Sequence, residues 1–257
     1  MTAPGDRFEA FYESLEARHL ADLSFAEVRR ALQALSSLYV ERRERMRTGA
    51  ALDGRGKRAA FALYYGSLHF LLAREVVRAL GPALRSPRRI LDLGCGTGTV
   101  GAAGALECDP PAEVEGVDLN GWAVSETRWT LGRLGLRGQV RRGDAVPTAL
   151  PRSPAGVVAA FTVNELDDAG RARLLPRLLK ASKKGTAVLV IEPLSRRVSP
   201  WWPEWAKAVE AAGGRDDEWR FPAPALPRIL GLLGKASTLD TQKLTARSLS
   251  LGFRARS

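Results

Sequence analysis

The chain has 257 residues, 45% of them hydrophobic and 26% charged, with a formal charge of +11. This profile excludes a disordered chain. Two cysteines, Cys95 and Cys108, exclude a disulfide framework and a four-cysteine metal site, and no apolar run approaches the roughly 18 residues of a membrane span.

Residues 6 to about 82 carry helical patterning. Ser24-Phe25-Ala26-Glu27 is a capping box. Apolar residues then recur at helical spacing through Val28, Leu32, Leu35, Leu38 and Tyr39. The two glycines of "ALDGRG" break that pattern, and "KRAAFALYYGSLHFLLAREVVRAL" predicts a second long helix ending at Gly81-Pro82. The N-terminus is acidic and amphipathic rather than basic then apolar. It therefore does not read as a secretory signal, and the expectation is a cytoplasmic protein away from membranes.

From Arg89 the rhythm changes. "RRILDLG", "EVEGVDL", "GQVRRGDA", "AGVVAAFTV" and "GTAVLVIEP" read as five strands. "TGTVGAAGALE", "NGWAVSETRWTLGRLG" and "DDAGRARLLPRLLKASK" read as the helices between them. Alternation of this kind predicts a parallel sheet covered on both faces. "WWPEWAKAVEAAGG" reads as a helix, "EWRFPAPALP" as a proline-interrupted stretch, and "LTARSLSLGF" as a last strand. The expected division is a helical N-terminal extension or cap at 1–84 and an α/β domain at 85–257.

Within "ILDLGCGTGTVG" two glycine patterns overlap. Gly96 to Gly101 spells G-x-G-x-x-G, the dinucleotide fingerprint, and Asp92 to Gly98 spells D-x-G-x-G-x-G. A glycine loop between a first strand and its helix lets backbone turn tightly and approach a ligand closely. In the dinucleotide form the helix N-terminus faces a pyrophosphate, which a carboxylate at Asp92 would repel. Asp92 therefore favours a cofactor with a cationic tail.

"LDLGCGTG" resembles motif I of the class I S-adenosylmethionine-dependent methyltransferases. The resemblance implies a Rossmann-like, seven-stranded, mostly parallel α/β sheet and S-adenosylmethionine as cofactor. It implies Asp92, Gly94, Cys95, Gly96, Thr97 and Gly98 around the amino-acid tail, and Asp118 with Leu119 at the ribose. It implies Asp144 with Ala145 at the adenine, and Phe161 beside the methyl group. Asn164 and Glu165, after the fourth strand, face the acceptor and are the catalytic candidates; in the plainer reading Asn164 caps the next helix. No metal is implied.

The segment after the fourth strand, "FTVNELDD", has neither the Asn/Asp-Pro-Pro-aromatic motif of exocyclic-amine methylation nor a nucleophilic cysteine for cytosine C5. More loosely, the second half resembles the methyltransferase-like proteins of the small ribosomal subunit, through Glu165-Leu166 and Glu192-Pro193. Members of that family use four cysteines for an iron–sulfur cluster, which two cysteines exclude.

Three readings follow. One is methylation of ribosomal RNA or another ribosome-associated acceptor. Another is O- or N-methylation of a small molecule, and the third is a cofactor-binding assembly factor without catalysis. The basic charge fits an RNA partner, and fits equally the arginine bias of a GC-rich genome. His19 and His69 read as surface or helix-packing residues, and Tyr64 and Tyr65 as core or lid residues. Trp201, Trp202 and Trp205 read first as packing. "RRERMR" at 42–47 and "RLLPRLLKASKK" read as basic helix faces.

Overall fold

A computed structural model describes residues 4–41, 52–81, 86–237 and 242–252. The chain divides into two compact units, one of residues 1–69 and 222–244 and one of residues 70–221 and 245–257.

In the first unit, α1 (Pro4–His19), α2 (Phe25–Glu41) and α3 (Arg55–Ala60) bury Phe11, Tyr12, Leu15, Val28, Leu32 and Leu35. The capping box is formed. The Ser24 amide donates to Glu27 Oε2 at 2.8 Å, and the Glu27 amide to Ser24 Oγ at 3.4 Å. The long predicted helix is interrupted by a π-helical turn, Phe61–Gly66, before α4 (Ser67–Leu80). Tyr64 and Tyr65 are both buried there and bond Ser237 and Ser36 through their hydroxyls, at 2.7 and 3.1 Å. The basic run at 42–47 lies outside the described residues.

The second unit is built on one seven-stranded sheet. Its strands are β1 (Arg89–Leu93), β2 (Glu113–Asp118), β3 (Gly138–Arg142), β4 (Ala155–Ala160), β5 (Ala187–Glu192), β6 (Arg215–Pro222) and β7 (Lys243–Leu251). Their order is β3-β2-β1-β4-β5-β7-β6. The first five are parallel, and β7 runs antiparallel to β5, with Arg247 opposite Glu192. Fold class is as the sequence predicts, a mostly parallel seven-stranded Rossmann-like sheet.

The helices α5 (Thr99–Leu106), α6 (Gly121–Arg133), α7 (Asp168–Lys183) and α8 (Trp202–Ala211) follow β1, β2, β4 and β5. Side chains alternate along each strand. Leu91, Leu93, Val157, Ala159, Val188 and Val190 thus share one face with α7 and α8. Ile90 and Asp92 point to the opposite face, toward α5. Trp201, Trp202 and Trp205 are each at most 9% exposed and belong to the α7–α8 layer, the packing role expected first. Arg247 stacks over the Trp202 ring at 4.9 Å.

The C-terminal region departs from the sequence reading. The first half of the proline-interrupted stretch belongs to β6, an edge strand that ends at Pro222, where a missing amide disturbs no ladder. Between β6 and β7 stands a helix the sequence reading did not identify, α9 (Arg228–Ala236), which buries Ile229, Leu230 and Leu233 in the first unit.

Candidate functional site

Chain order sets the place of the site. From β1 the chain steps outward to β2 and β3, then returns to the other side of β1 for β4 and β5. The carboxyl ends of β1 and β4 flank this switch point, where open α/β sheets form a crevice. Two segments meet there, the loop Gly94–Gly98 and the segment Phe161–Glu165.

In the loop, Gly94, Gly96 and Gly98 have φ of 69°, 54° and 74°, the left-handed region that favours glycine. Three glycines here make room for protein. A Cβ on Gly94 would stand 2.4 Å from Thr162 Oγ1, one on Gly98 2.5 Å from Thr127 Cγ2, and one on Gly101 2.6 Å from Asp92 Oδ2. Thr162 donates to Leu93 O at 3.0 Å and so ties the ends of β1 and β4 together. Thr127, on α6, donates to Gly96 O at 2.9 Å. Sequence reasoning missed both threonines; they are buried hydroxyls with no motif to mark them.

Asp92 is 1% exposed and accepts from Gly101 N at 3.0 Å in the first turn of α5. Burial pushes its carboxyl up to about 7 against that hydrogen bond, with a smaller push from Asp118. Cys95 packs inward: its Sγ is 3.3 Å from Thr127 Oγ1, and burial, with Asp92 next, raises its pKa. Thr97 is buried, its hydroxyl 3.3 Å from that of Thr99.

Asp118, half-buried at the end of β2, closes the loop. Its Oδ2 accepts from Gly96 N at 2.9 Å and its Oδ1 from Asn120 N at 2.8 Å. Desolvation outweighs these bonds and raises its pKa. Asn120 in turn caps α6, accepting from Trp122 N at 2.9 Å. Leu119 is 64% exposed, one of two large hydrophobic side chains so placed among the described residues. Asp144, exposed two residues beyond β3, accepts from Val146 N at 2.8 Å, and Ala145 is buried beside it.

On the other side, Phe161 leaves β4 with φ 56°, the one non-glycine residue with positive φ among those described. A side chain there costs about 1–2 kcal/mol, and such strain collects at functional sites. A short 3₁₀ turn, Val163–Glu165, follows. The Glu165 side chain is exposed to solvent. Lost hydration first, and repulsion from Asp118 second, push its carboxyl up to about 7. The two carboxylates are thus within electrostatic reach of each other.

Asn164 is committed to the scaffold. Its Nδ2 donates to Glu192 Oε2 at 2.7 Å and its backbone amide to Glu192 Oε1 at 3.1 Å. Its Oδ1 accepts from Ser199 Oγ at 2.9 Å and Trp201 Nε1 at 2.8 Å. Glu192, at the end of β5, is fully buried. The helix that follows is capped by Asp167, which accepts from Gly170 N at 2.7 Å, so the capping reading of Asn164 is replaced.

Comparison with known proteins bears on the family and the fold. Residues 90–185 match the model of the methyltransferase domain family. The chain is 37% identical over 71 residues to ribosomal RNA small subunit methyltransferase C of Stutzerimonas stutzeri (strain A1501), an overlap of 28% of this chain and 21% of that protein. It is 40% identical over 60 residues to the protein of the same name from Pseudomonas entomophila (strain L48), covering 23% and 18%. The chain thus spans about a fifth of the length of these curated relatives. Its fold is similar to that of mitomycin 7-O-methyltransferase, with a TM-score of 0.52 at 19% identity, covering 96% of this chain and 68% of that one.

S-adenosylmethionine carries a diol, an apolar ring face and two cationic groups. The crevice offers a half-buried carboxylate with lone pairs to spare and an exposed leucine beside it. Sequence motif, sheet order and matched family converge: the chain carries a class I S-adenosylmethionine-dependent methyltransferase domain.

Proposed function

We propose that this chain transfers a methyl group from S-adenosylmethionine to ribosomal RNA. The observation that carries the reading is Asp118, pinned at the mouth of the glycine loop by Gly96 N and Asn120 N. The RNA acceptor is supported by the partial identity to small-subunit rRNA methyltransferases and by the charge of +11.

In this reading the residues divide the work. A carboxylate has about four acceptor positions; Asp118 uses two on the loop and offers the rest to the ribose hydroxyls. Leu119 gives the adenine an apolar face, and Asp144 with the Ala145 backbone meets its edge. The loop backbone from Gly94 through Cys95, Gly96 and Thr97 to Gly98 surrounds the amino-acid tail, and Asp92 beneath it supplies negative potential for the ammonium. Phe161 borders the methyl-bearing end.

When bound, the cofactor supplies an electrophilic methyl group for in-line displacement. The acceptor atom needs to be held in line and relieved of its proton. A carboxyl held near neutrality suits that second task, and Glu165 takes the proton as the new bond to the methyl carbon forms. Asn164 is a positioning residue: through Glu192, Ser199 and Trp201 it fixes the segment that carries Glu165.

The test is label transfer. The protein is incubated with methyl-labelled cofactor and ribosomal RNA, ribosomal protein and small-molecule pools from a host lysate. The reading predicts label in the small-subunit rRNA. Label in the small-molecule pool instead, or cofactor binding with no labelled product, would overturn it.

A further inference from the structure

α6 begins directly after Asp118, Leu119 and Asn120, so its outer surface leads away from the crevice. One arc of this helix packs on the sheet through Ala123, Val124, Glu126, Thr127, Thr130 and Leu131, all buried. The other arc is unusual in composition. Trp122 and Trp129 are half-buried and lie seven residues apart, about two helical turns or ~10 Å along one line of the surface. Arg128 and Arg133 are exposed beside them, and Arg137 and Arg142 are exposed on the turn and edge strand that follow.

Between Gly121 and Arg142 there are five arginines and one acid, and that acid, Glu126, is fully buried. Arg141 is partly neutralised by Glu115 at 3.8 Å. Two guanidiniums are fixed in place by carbonyls: Arg128 donates to Val140 O at 2.6 Å and Arg142 to Leu119 O at 2.8 Å. A guanidinium has five N–H donors, so such anchoring orients it and leaves others for phosphate.

Half-exposed indoles set among held guanidiniums make a platform on which unpaired bases stack while phosphates are neutralised. We propose that the outer face of α6 and the adjoining β3 edge form a docking surface for single-stranded RNA, leading an acceptor strand toward the crevice. This rests on the reading that the acceptor is RNA. Charge complementarity selects an anionic partner, and the two indoles select one with exposed aromatic faces, which an acidic peptide does not require.

The test measures binding of a fluorescent single-stranded RNA of about 12 nucleotides by anisotropy, across roughly 50–300 mM salt. Four proteins are compared. These are wild type, the triple variant Arg128→Ser/Arg133→Ser/Arg137→Ser, a control triple of equal charge on α7 and its C-terminus (Arg173→Ser/Lys180→Ser/Lys184→Ser), and Trp129→Ala. The α6 triple should bind at least about tenfold more weakly, with the slope of log affinity against log salt reduced by about 2. The control triple should change affinity by less than about threefold. Trp129→Ala should cost about 5- to 100-fold for RNA and leave binding of polyglutamate unchanged. Arg133→Glu alone provides the same direction of change should the α6 triple fold poorly, and calorimetric cofactor binding checks folding in every variant.

Equal losses in the two triples would overturn the surface, as would polyglutamate binding as tightly as RNA. Wild type labelling RNA with the α6 triple unimpaired would sink this inference and leave the RNA reading standing. Label confined to small molecules would remove both.

Discussion

Glu165 and Asp92 are two carboxyls with the same direction of shift and different surroundings. Glu165 reaches solvent in the crevice; Asp92 is sealed beneath the loop. For Glu165 the consequence is kinetic. In the proposed mechanism Glu165→Gln removes the proton acceptor and keeps the shape, so turnover should fall by about 10²–10⁴ while cofactor affinity stays within a few-fold. The wild-type rate should rise with pH through about 7, the value to which the carboxyl is pushed, and that rise should be absent in the variant.

For Asp92 the consequence is thermodynamic. Its folded-state pKa, about 7, lies above the ordinary 3.8, so the folded protein holds this proton more tightly than the unfolded chain does. The stability this contributes is fully present below about pH 4 and is lost as pH rises through 7. Asp92→Asn abolishes that titration. Denaturant midpoints should show the variant gaining on wild type between pH 5 and pH 8, by about 1–4 kcal/mol. A constant difference across that range would contradict the assignment.

At the scale of elements, the glycine loop and the post-β4 segment are held by packing as much as by turn geometry. Gly98→Ala puts a Cβ both at φ 74° and against Thr127. It should destabilise the protein by about 1–3 kcal/mol, and Thr127→Ser in the same chain should remove the closest contact, to Cγ2, and recover part of that loss without relieving the backbone. Glu192→Ala leaves two donors of Asn164 unpaired in a buried setting. Thermal unfolding should show a loss of about 2 kcal/mol or more, with activity falling because Glu165 sits one residue away.

The same elements show how far the sequence can be read. β1, β4 and β5 are apolar runs closed by an acid or a turn, and burial on both faces leaves little else such runs can be. Asp118 and Glu165 can be nominated from sequence because they follow strand ends at a switch point, where open α/β sheets bind ligands. Thr127, Thr162 and Glu192 act through contacts 28 to 69 residues away in sequence, so no local pattern announces them. β6 was obscured by Pro222 at its end and the prolines that follow it. α9 was obscured by its shortness, its two glycines and a burial partner that lies in the first unit.

Across the whole molecule, the excess of positive charge is not spread uniformly, and its arrangement matters more than its sum. A GC-rich genome explains arginine in place of lysine; it does not explain an arc of α6 with exposed arginines, two half-exposed indoles and its one acid withdrawn into the core. Cofactor binding is linked to folding of the sheet unit. At about 100 times Kd, S-adenosylmethionine should stabilise the native state by about 2.7 kcal/mol, a shift that thermal unfolding would register. No helix among the described residues is long and apolar enough to cross a membrane.

Everything above depends on which of two overlapping glycine patterns governs the loop, and calorimetric titration decides it directly. Wild-type protein should bind S-adenosylmethionine at one site and show no heat with NAD. Asp118→Ala should lose about 1–3 kcal/mol of that affinity by leaving the ribose hydroxyls unpaired. Binding of NAD, or an affinity for S-adenosylmethionine unchanged by Asp118→Ala, would contradict the site described.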